Sequence, residues 1–240
     1  MTIATDQPTT TSLCDFSLTS DQKVVREAAR DFARQEIDPL VEELDEAQQF
    51  PIELFAKAGE LGFLGVIFPE EYGGSGLGYV DYVLVITEVS KVDPSIGLSV
   101  AAHNSLCSNH IYKFGTEEQR QCWLVPLASG KKIGAWSLTE PDAGSDAAGT
   151  RTRAEKVEGG WILNGSRTFI THGSVGDICV VIAVTDPDGP RHHNLSAFVL
   201  EKGMEGFRAG KKENKLGSRA SDTSEVVMQD CFVPDENLLG

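Results

Sequence analysis

Hydrophobic positions along this chain follow two periods. In the first half they recur every three to four places, the spacing of one helix face. Val25, Ala28, Ala29, Phe32 and Ala33 predict a first helix, with Thr19 and Gln22 placed as a capping box at its start. Pro39 should end or kink it. Pro51 stands at a first helical position, Ile52, Leu54, Phe55 and Leu61 follow, and Gly62 is a stop signal. Further helices are expected over about 80–91 and 95–114, and a last one opens at Thr116 with Gln119 and closes at Ser129-Gly130.

Beyond Lys132 the period shortens towards two. Residues 150–156 alternate small or apolar with charged side chains, as a half-exposed strand does. Glu158-Gly159-Gly160 reads as a turn, 161–163 as a short strand, Asn164-Gly165 as a two-residue hairpin turn and 167–171 as the returning strand. The run 178–184 is almost wholly apolar, 186–190 is loop chemistry, and 195–200 and 224–232 add strands. The predicted fold class is therefore α+β in two domains. A flexible arm covers 1–18, an all-helical N-terminal domain covers 19–130, and an antiparallel β-barrel or sandwich covers 131–240. No internal repeat is visible. Pro234-Asp235 opens as a helix start and the sequence then stops, which leads us to expect a piece of a longer chain.

Composition narrows the function classes. The chain has 240 residues, 40% hydrophobic and 24% charged, an ordinary globular balance. No run of 18 apolar residues occurs, so no membrane span is expected. The formal charge of −15 lacks the cationic footprint of a nucleic-acid binder. Five cysteines, odd in number and without CxxC spacing, suggest neither a disulfide framework nor a zinc knuckle. The N-terminus shows neither a signal peptide nor a transit peptide, and a cytoplasmic location is expected.

Two stretches carry chemistry. In Trp136 to Asp146 a strand runs into Pro141 and then a Gly/Ser/Asp turn, where successive N–H groups can form an anion nest beside the hydroxyls of Thr139 and Ser145. An ordinary loop has the same composition. In Phe169-Ile170-Thr171-His172-Gly173, an aromatic and a hydroxyl could stack on and hydrogen-bond a planar heterocycle, or could be a core Phe and an edge Thr. Glu70 to Gly78 is glycine-rich but fails as a dinucleotide fingerprint, because Tyr79 stands where a glycine is needed; it reads as a turn between helices. His103, Cys107 and His110 share a helix face of metal-ligand types, yet core packing explains them without a metal. His192-His193 reads as a loop tip that could touch a polyanion. No nucleophile elbow or Walker loop occurs, and Glu140, Asp142 and Asp146 read as capping or pairing acids.

The strings LTEPDAGSDAAG at 138–149 and NGSRTFIT at 164–171 resemble the acyl-CoA dehydrogenase family. FPEEYGGSG at 68–76, HNSLC at 103–107 and the stretch 215–240 are similar to it in the same order and spacing. The resemblance covers nearly the whole chain from about Leu18. Ser137 and Phe169 are small departures, standing where a small Gly, Ala or Cys and a tryptophan, respectively, are frequent.

The resemblance implies a helical domain, a β middle domain and a C-terminal helical bundle, with FAD as cofactor. Trp136, Leu138, Thr139, Gly144, Ser145, Phe169, Ile170 and Thr171 would bind it. Ser145, Leu106, Thr185, His192 and His193 would meet an acyl-CoA substrate, short- or branched-chain. The implied reaction is α,β-dehydrogenation to the trans-2-enoyl-CoA, with electron-transfer flavoprotein as acceptor and a homotetramer as the full-length assembly. The family's catalytic glutamate would lie beyond residue 240, so the chain alone is expected to bind FAD weakly and not to turn over. Two other readings remain open: a non-catalytic binding module of the same two domains, and an oxygen-using acyl-CoA oxidase or flavin monooxygenase.

Overall fold

The computed structural model describes residues 16–240, so most of the arm expected at 1–18 lies outside the described residues, as does Cys14. Helix α1 (Ser20–Phe32) begins at the expected capping box: the Thr19 hydroxyl accepts the Gln22 N–H at 3.2 Å and the Gln22 side chain accepts the Thr19 N–H at 3.0 Å. Thr19→Ala should lower stability by about 1 kcal/mol, read as a shift of the urea midpoint at unchanged slope. Approaching Pro39 the helix widens into a π-turn (Ala33–Ile37), then tightens to a 3₁₀ turn (Asp38–Leu40). Proline supplies no N–H for the regular ladder.

Helices α2 (Val41–Ala47) and α3 (Ile52–Glu60) follow, with Pro51 at the cap position of α3 rather than inside it. Helix α4 (Tyr79–Ser90) is succeeded by one helical run in three parts: α5 (Pro94–Ala102), a π-turn (His103–Ser108) and α6 (Asn109–Phe114). Thr116 and Gln119 again form a capping box, opening α7 (Glu117–Gln119), and α8 (Val125–Ala128) closes the helical half.

Seven strands follow: β1 (Gly134–Ser137), β2 (Arg153–Val157), β3 (Gly160–Thr171), β4 (Ile178–Val184), β5 (Leu195–Glu201), β6 (Phe207–Lys212) and β7 (Thr223–Pro234). They form one sheet, which is mixed and curled. This corrects the antiparallel expectation. β4 carries β5 antiparallel along one edge; on the other it carries β1 in parallel and touches β2 in parallel at Val184. The β2–β3 hairpin and the β3–β7 and β7–β6 pairings are antiparallel. The parallel pairing joins segments some forty residues apart and leaves no local signature.

The hairpin expected at Asn164-Gly165 does not form. The turn is at Glu158-Gly159, where Gly159 takes φ +74°, and β3 runs straight through Asn164. The Asn164 side chain is engaged elsewhere: it accepts the Asp230 N–H at 2.8 Å and donates to the Asp230 carboxylate at 3.1 Å. Asp230 sits at φ +48°, where β7 carries an extra residue between Cys231 and Met228. Asn164 thus caps a bulge in the neighbouring strand instead of turning its own.

Three cores result. One lies within the helices around Phe32, Phe55, Leu64 and Ile96, and one within the sheet around Leu163, Phe198 and Val226. The third joins the halves: Phe68, Cys107, Ile111, Leu124 and Leu127 pack on Ile178, Val180 and Val199.

Candidate functional site

Seven of the residues singled out from sequence line one cavity of about 170 Å3, with Ala102 as an eighth. Leu106 and Ala102 form a wall from the helical run, Trp136, Leu138 and Thr139 a second from the end of β1, and Phe169, Ile170 and Thr171 a third from the end of β3.

The third wall is built by a bulge. The β3–β7 register is Arg167 opposite Val226 and then Ile170 opposite Ser224, so β3 holds one residue more than its partner. Phe169 takes φ +59° and is 65% exposed. A bulge re-aims side chains in this way. Ile170 instead turns its side chain into the sheet core. The Thr168 N–H donates to the Thr139 carbonyl at 2.9 Å, fastening the bulge to the second wall.

Under these walls lies a buried ion pair. Arg167 is fully buried; its guanidinium meets the Glu140 carboxylate at 2.9 Å and donates to the carbonyls of Leu138 and Ile182. Glu140 accepts the N–H groups of Arg151 and Thr152, each at 2.8 Å. Burial works to raise the Glu140 carboxyl, but Thr152, the Arg151 N–H and the Arg167 charge hold it below its ordinary value. Burial brings the Arg167 guanidinium down to about 10 against the opposing pull of Glu140, so both partners stay charged at neutral pH. Glu140 therefore pairs, as its motif position led us to expect. Arg167 was missed, because a lone arginine in an alternating strand reads as solvent-facing.

Gly144 and Ser145 lie outside the cavity, exposed on the loop that follows Glu140. An ion pair of Asp146 with Arg191 ties that loop to the one bearing His192 and His193, both exposed. Thr185, at the base of the second loop, shares a hydrogen bond with Ser196 at 2.8 Å. Near it a second, larger cavity of about 420 Å3 opens beside His110, Phe114, Leu195, Ser196 and Leu238. No local sequence signal marks it.

His103, Cys107 and His110 do not converge on a common point. His103 accepts the Gly134 N–H on Nδ1 at 3.1 Å and faces the Leu127 carbonyl with Nε2 at 3.1 Å. Burial pushes the Cys107 thiol well up, and the His110 ring packs against Phe114 and Trp136. Among the described residues no three His, Cys, Asp or Glu side chains stand together as a metal site, and no helix is long and apolar enough to cross a membrane.

An apolar slot with polar edges suits a flat, partly polar ring. Thr139 and Thr171 supply the polar part of its lining, while the Trp136 ring packs beside His110. No carboxylate lines the slot among the described residues.

Comparison with known proteins gives the context. The family profile described as "Acyl-CoA dehydrogenase, N-terminal domain" matches residues 19–131, and "Acyl-CoA dehydrogenase, middle domain" matches 135–231. A short-chain specific acyl-CoA dehydrogenase of Clostridium acetobutylicum is 46% identical over 94% of this chain and 59% of its own length. A solved structure described as an electron transferring flavoprotein of Acidaminococcus fermentans is 49% identical, with TM-score 0.92 over 95% of this chain and 60% of that one. A glutaryl-CoA dehydrogenase of Mycobacterium smegmatis, solved in complex with FADH2, is 37% identical, with TM-score 0.86 over 92% of this chain and 55% of that one. The chain thus spans somewhat over half the length of the relatives it matches.

Proposed function

The chain belongs to the acyl-CoA dehydrogenase family, and from that premise we propose that its cavity is one wall of an FAD site at which an acyl-CoA thioester is dehydrogenated between its α and β carbons. The observation that carries the proposal is the convergence of Trp136, Leu138 and Thr139, of 169–171 and of Leu106 on one slot. FAD bound there supplies a hydride acceptor for the substrate's β carbon.

The chain's own residues have separable parts in this reading. Phe169 offers the ring a stacking surface, and Thr171 offers a hydrogen bond at its edge. Leu106 and Ala102 keep water from the reacting carbons. Gly144 and Ser145, exposed outside the slot, would meet the cofactor and the thioester where these extend beyond it. Arg191, His192 and His193 stand exposed on the adjoining loop, where their N–H groups offer donors to the phosphates of CoA. Thr185 belongs with them. Removal of the α proton needs a carboxylate, which we place in the portion of the relatives that this chain does not cover. A short-chain substrate, electron-transfer flavoprotein as acceptor, a homotetramer for the full-length enzyme and a cytoplasmic location belong to the same proposal.

Titrating the 15N-labelled chain with FAD tests the wall directly. Weak, saturable shifts centred on the amides of 136–139 and 169–171 are expected, because a slot of about 170 Å3 covers only part of a tricyclic ring. Shifts centred elsewhere, or none, would remove the cofactor assignment. In the full-length enzyme, rapid reoxidation of substrate-reduced flavin by air would point instead to an oxygen-using relative.

A further inference from the structure

We infer that His103 and His172 are positioning residues for the cavity: from opposite sides of the domain joint they hold the N–H and the C=O of one residue, Gly134, and so key its three walls to one another. The inference rests on the flavin reading only for the ligand concerned; the geometry stands without it.

Within a strand the N–H and C=O of one residue point to the same edge. At Gly134 that edge faces away from β4, and no other strand pairs with Gly134 among the described residues. Two imidazoles take the place of a strand there. The Gly134 N–H donates to His103 Nδ1 at 3.1 Å, and His172 Nδ1–H donates to the Gly134 carbonyl at 2.9 Å. The two rings must therefore be opposite tautomers. His103 carries its proton on Nε2, where the Leu127 carbonyl accepts it at 3.1 Å. His172 carries its proton on Nδ1, leaving Nε2 buried and without a partner.

Each member of the clamp adjoins a wall. His103 follows Ala102 and precedes Leu106 by three residues; Gly134 precedes Trp136 by two; His172 follows Thr171 directly. Both histidines are fully buried. His172 is held at φ +62°, with Phe50 and Phe55 packed edge-on at 5.1 and 5.5 Å. Gly134 permits the approach, since a Cβ there would lie 2.9 Å from the Cβ and Sγ of Cys107. The walls thus meet through one backbone residue that two domains grip, and a small slip at Gly134 would misalign all three.

The test uses the 240-residue chain. Long-range 15N–1H correlation of the imidazoles should show the Nε2–H tautomer for His103 and the Nδ1–H tautomer for His172; the reverse pattern would overturn the inference whatever any variant does. His172→Phe keeps an aromatic ring and deletes the donor. It should shift the amides of 136–139 and 169–171 while far-UV dichroism stays unchanged, and weaken FAD binding about tenfold, the scale of one lost hydrogen bond. His172→Asn places an amide N–H at the Nδ1 position, tolerates the left-handed backbone, and should restore both readouts. Wall amides that stay in place in His172→Phe, or shifts that Asn does not reverse, would overturn the inference. If the wild-type chain binds no flavin, the flavin reading fails and the tautomers and amide shifts still decide this one.

Discussion

Arg167→Met is expected to destabilise the protein by about 3–5 kcal/mol, the cost of leaving a buried charge without its partner. Methionine fills most of the space, so the loss is electrostatic rather than a cavity effect. Glu140 would remain buried, with the N–H groups of Arg151 and Thr152 as its remaining partners, and the carbonyls of Leu138 and Ile182 would each lose a donor. Glu140→Gln in the same chain should recover part of the loss, because a neutral amide oxygen still accepts both N–H groups. A double-mutant cycle by urea denaturation measures the coupling. A single-variant loss below about 1 kcal/mol, the range of an exposed pair, would show that water reaches Arg167 after all. The effect should extend to the site, since the Leu138 carbonyl that Arg167 holds belongs to the second cavity wall.

Acidification should act through the clamp histidines. Burial, with a smaller contribution from His172, lowers His103 from 6.5 to about 3. Burial lowers His172 as well, against the hydrogen bond to Gly134. A histidine whose native value is depressed stays neutral in the fold and binds a proton once unfolded. Its stabilisation is complete above the unfolded value and lost as pH falls from about 6.5 towards 3. At pH 4.5, two units below the unfolded value, His103 alone should remove roughly 3 kcal/mol. Urea midpoints at pH 7 and 4.5 should converge for wild type and His103→Asn. Asparagine keeps an acceptor for Gly134 and does not titrate. Equal losses in the two proteins would assign acid sensitivity to the carboxylates instead.

Local chemistry was legible where it is settled locally. The capping boxes at Thr19 and Thr116 and the apolar strand over 178–184 stand where the pattern puts them, because each depends on residues within a turn or on a continuous apolar run. Partners distant in sequence decided the rest. Asn164-Gly165 has ideal turn chemistry, yet Asp230 claims the asparagine from 66 residues away. The parallel pairing of β1 could not be read, and β6, with glycine and lysines in FRAGKK, carries too weak an alternation to be noticed. In the site, the motifs named most of one slot, but a motif cannot say which of its members face inward. Ile170 contributes to the core, Gly144 and Ser145 stay outside the slot, and the Arg167 and Ala102 contributions appear only once the chain is folded.

The change of period near residue 130 suggests a seam, and the third core shows what dividing the molecule there would expose. Ile178, Val180 and Val199 of the sheet would lose Leu124, Leu127 and Ile111 of the helices, so each piece would carry a sticky, uncovered face. Expression of either half by itself invites aggregation, and any reporter or affinity handle belongs at an end of the chain rather than in the short connection between α8 and β1.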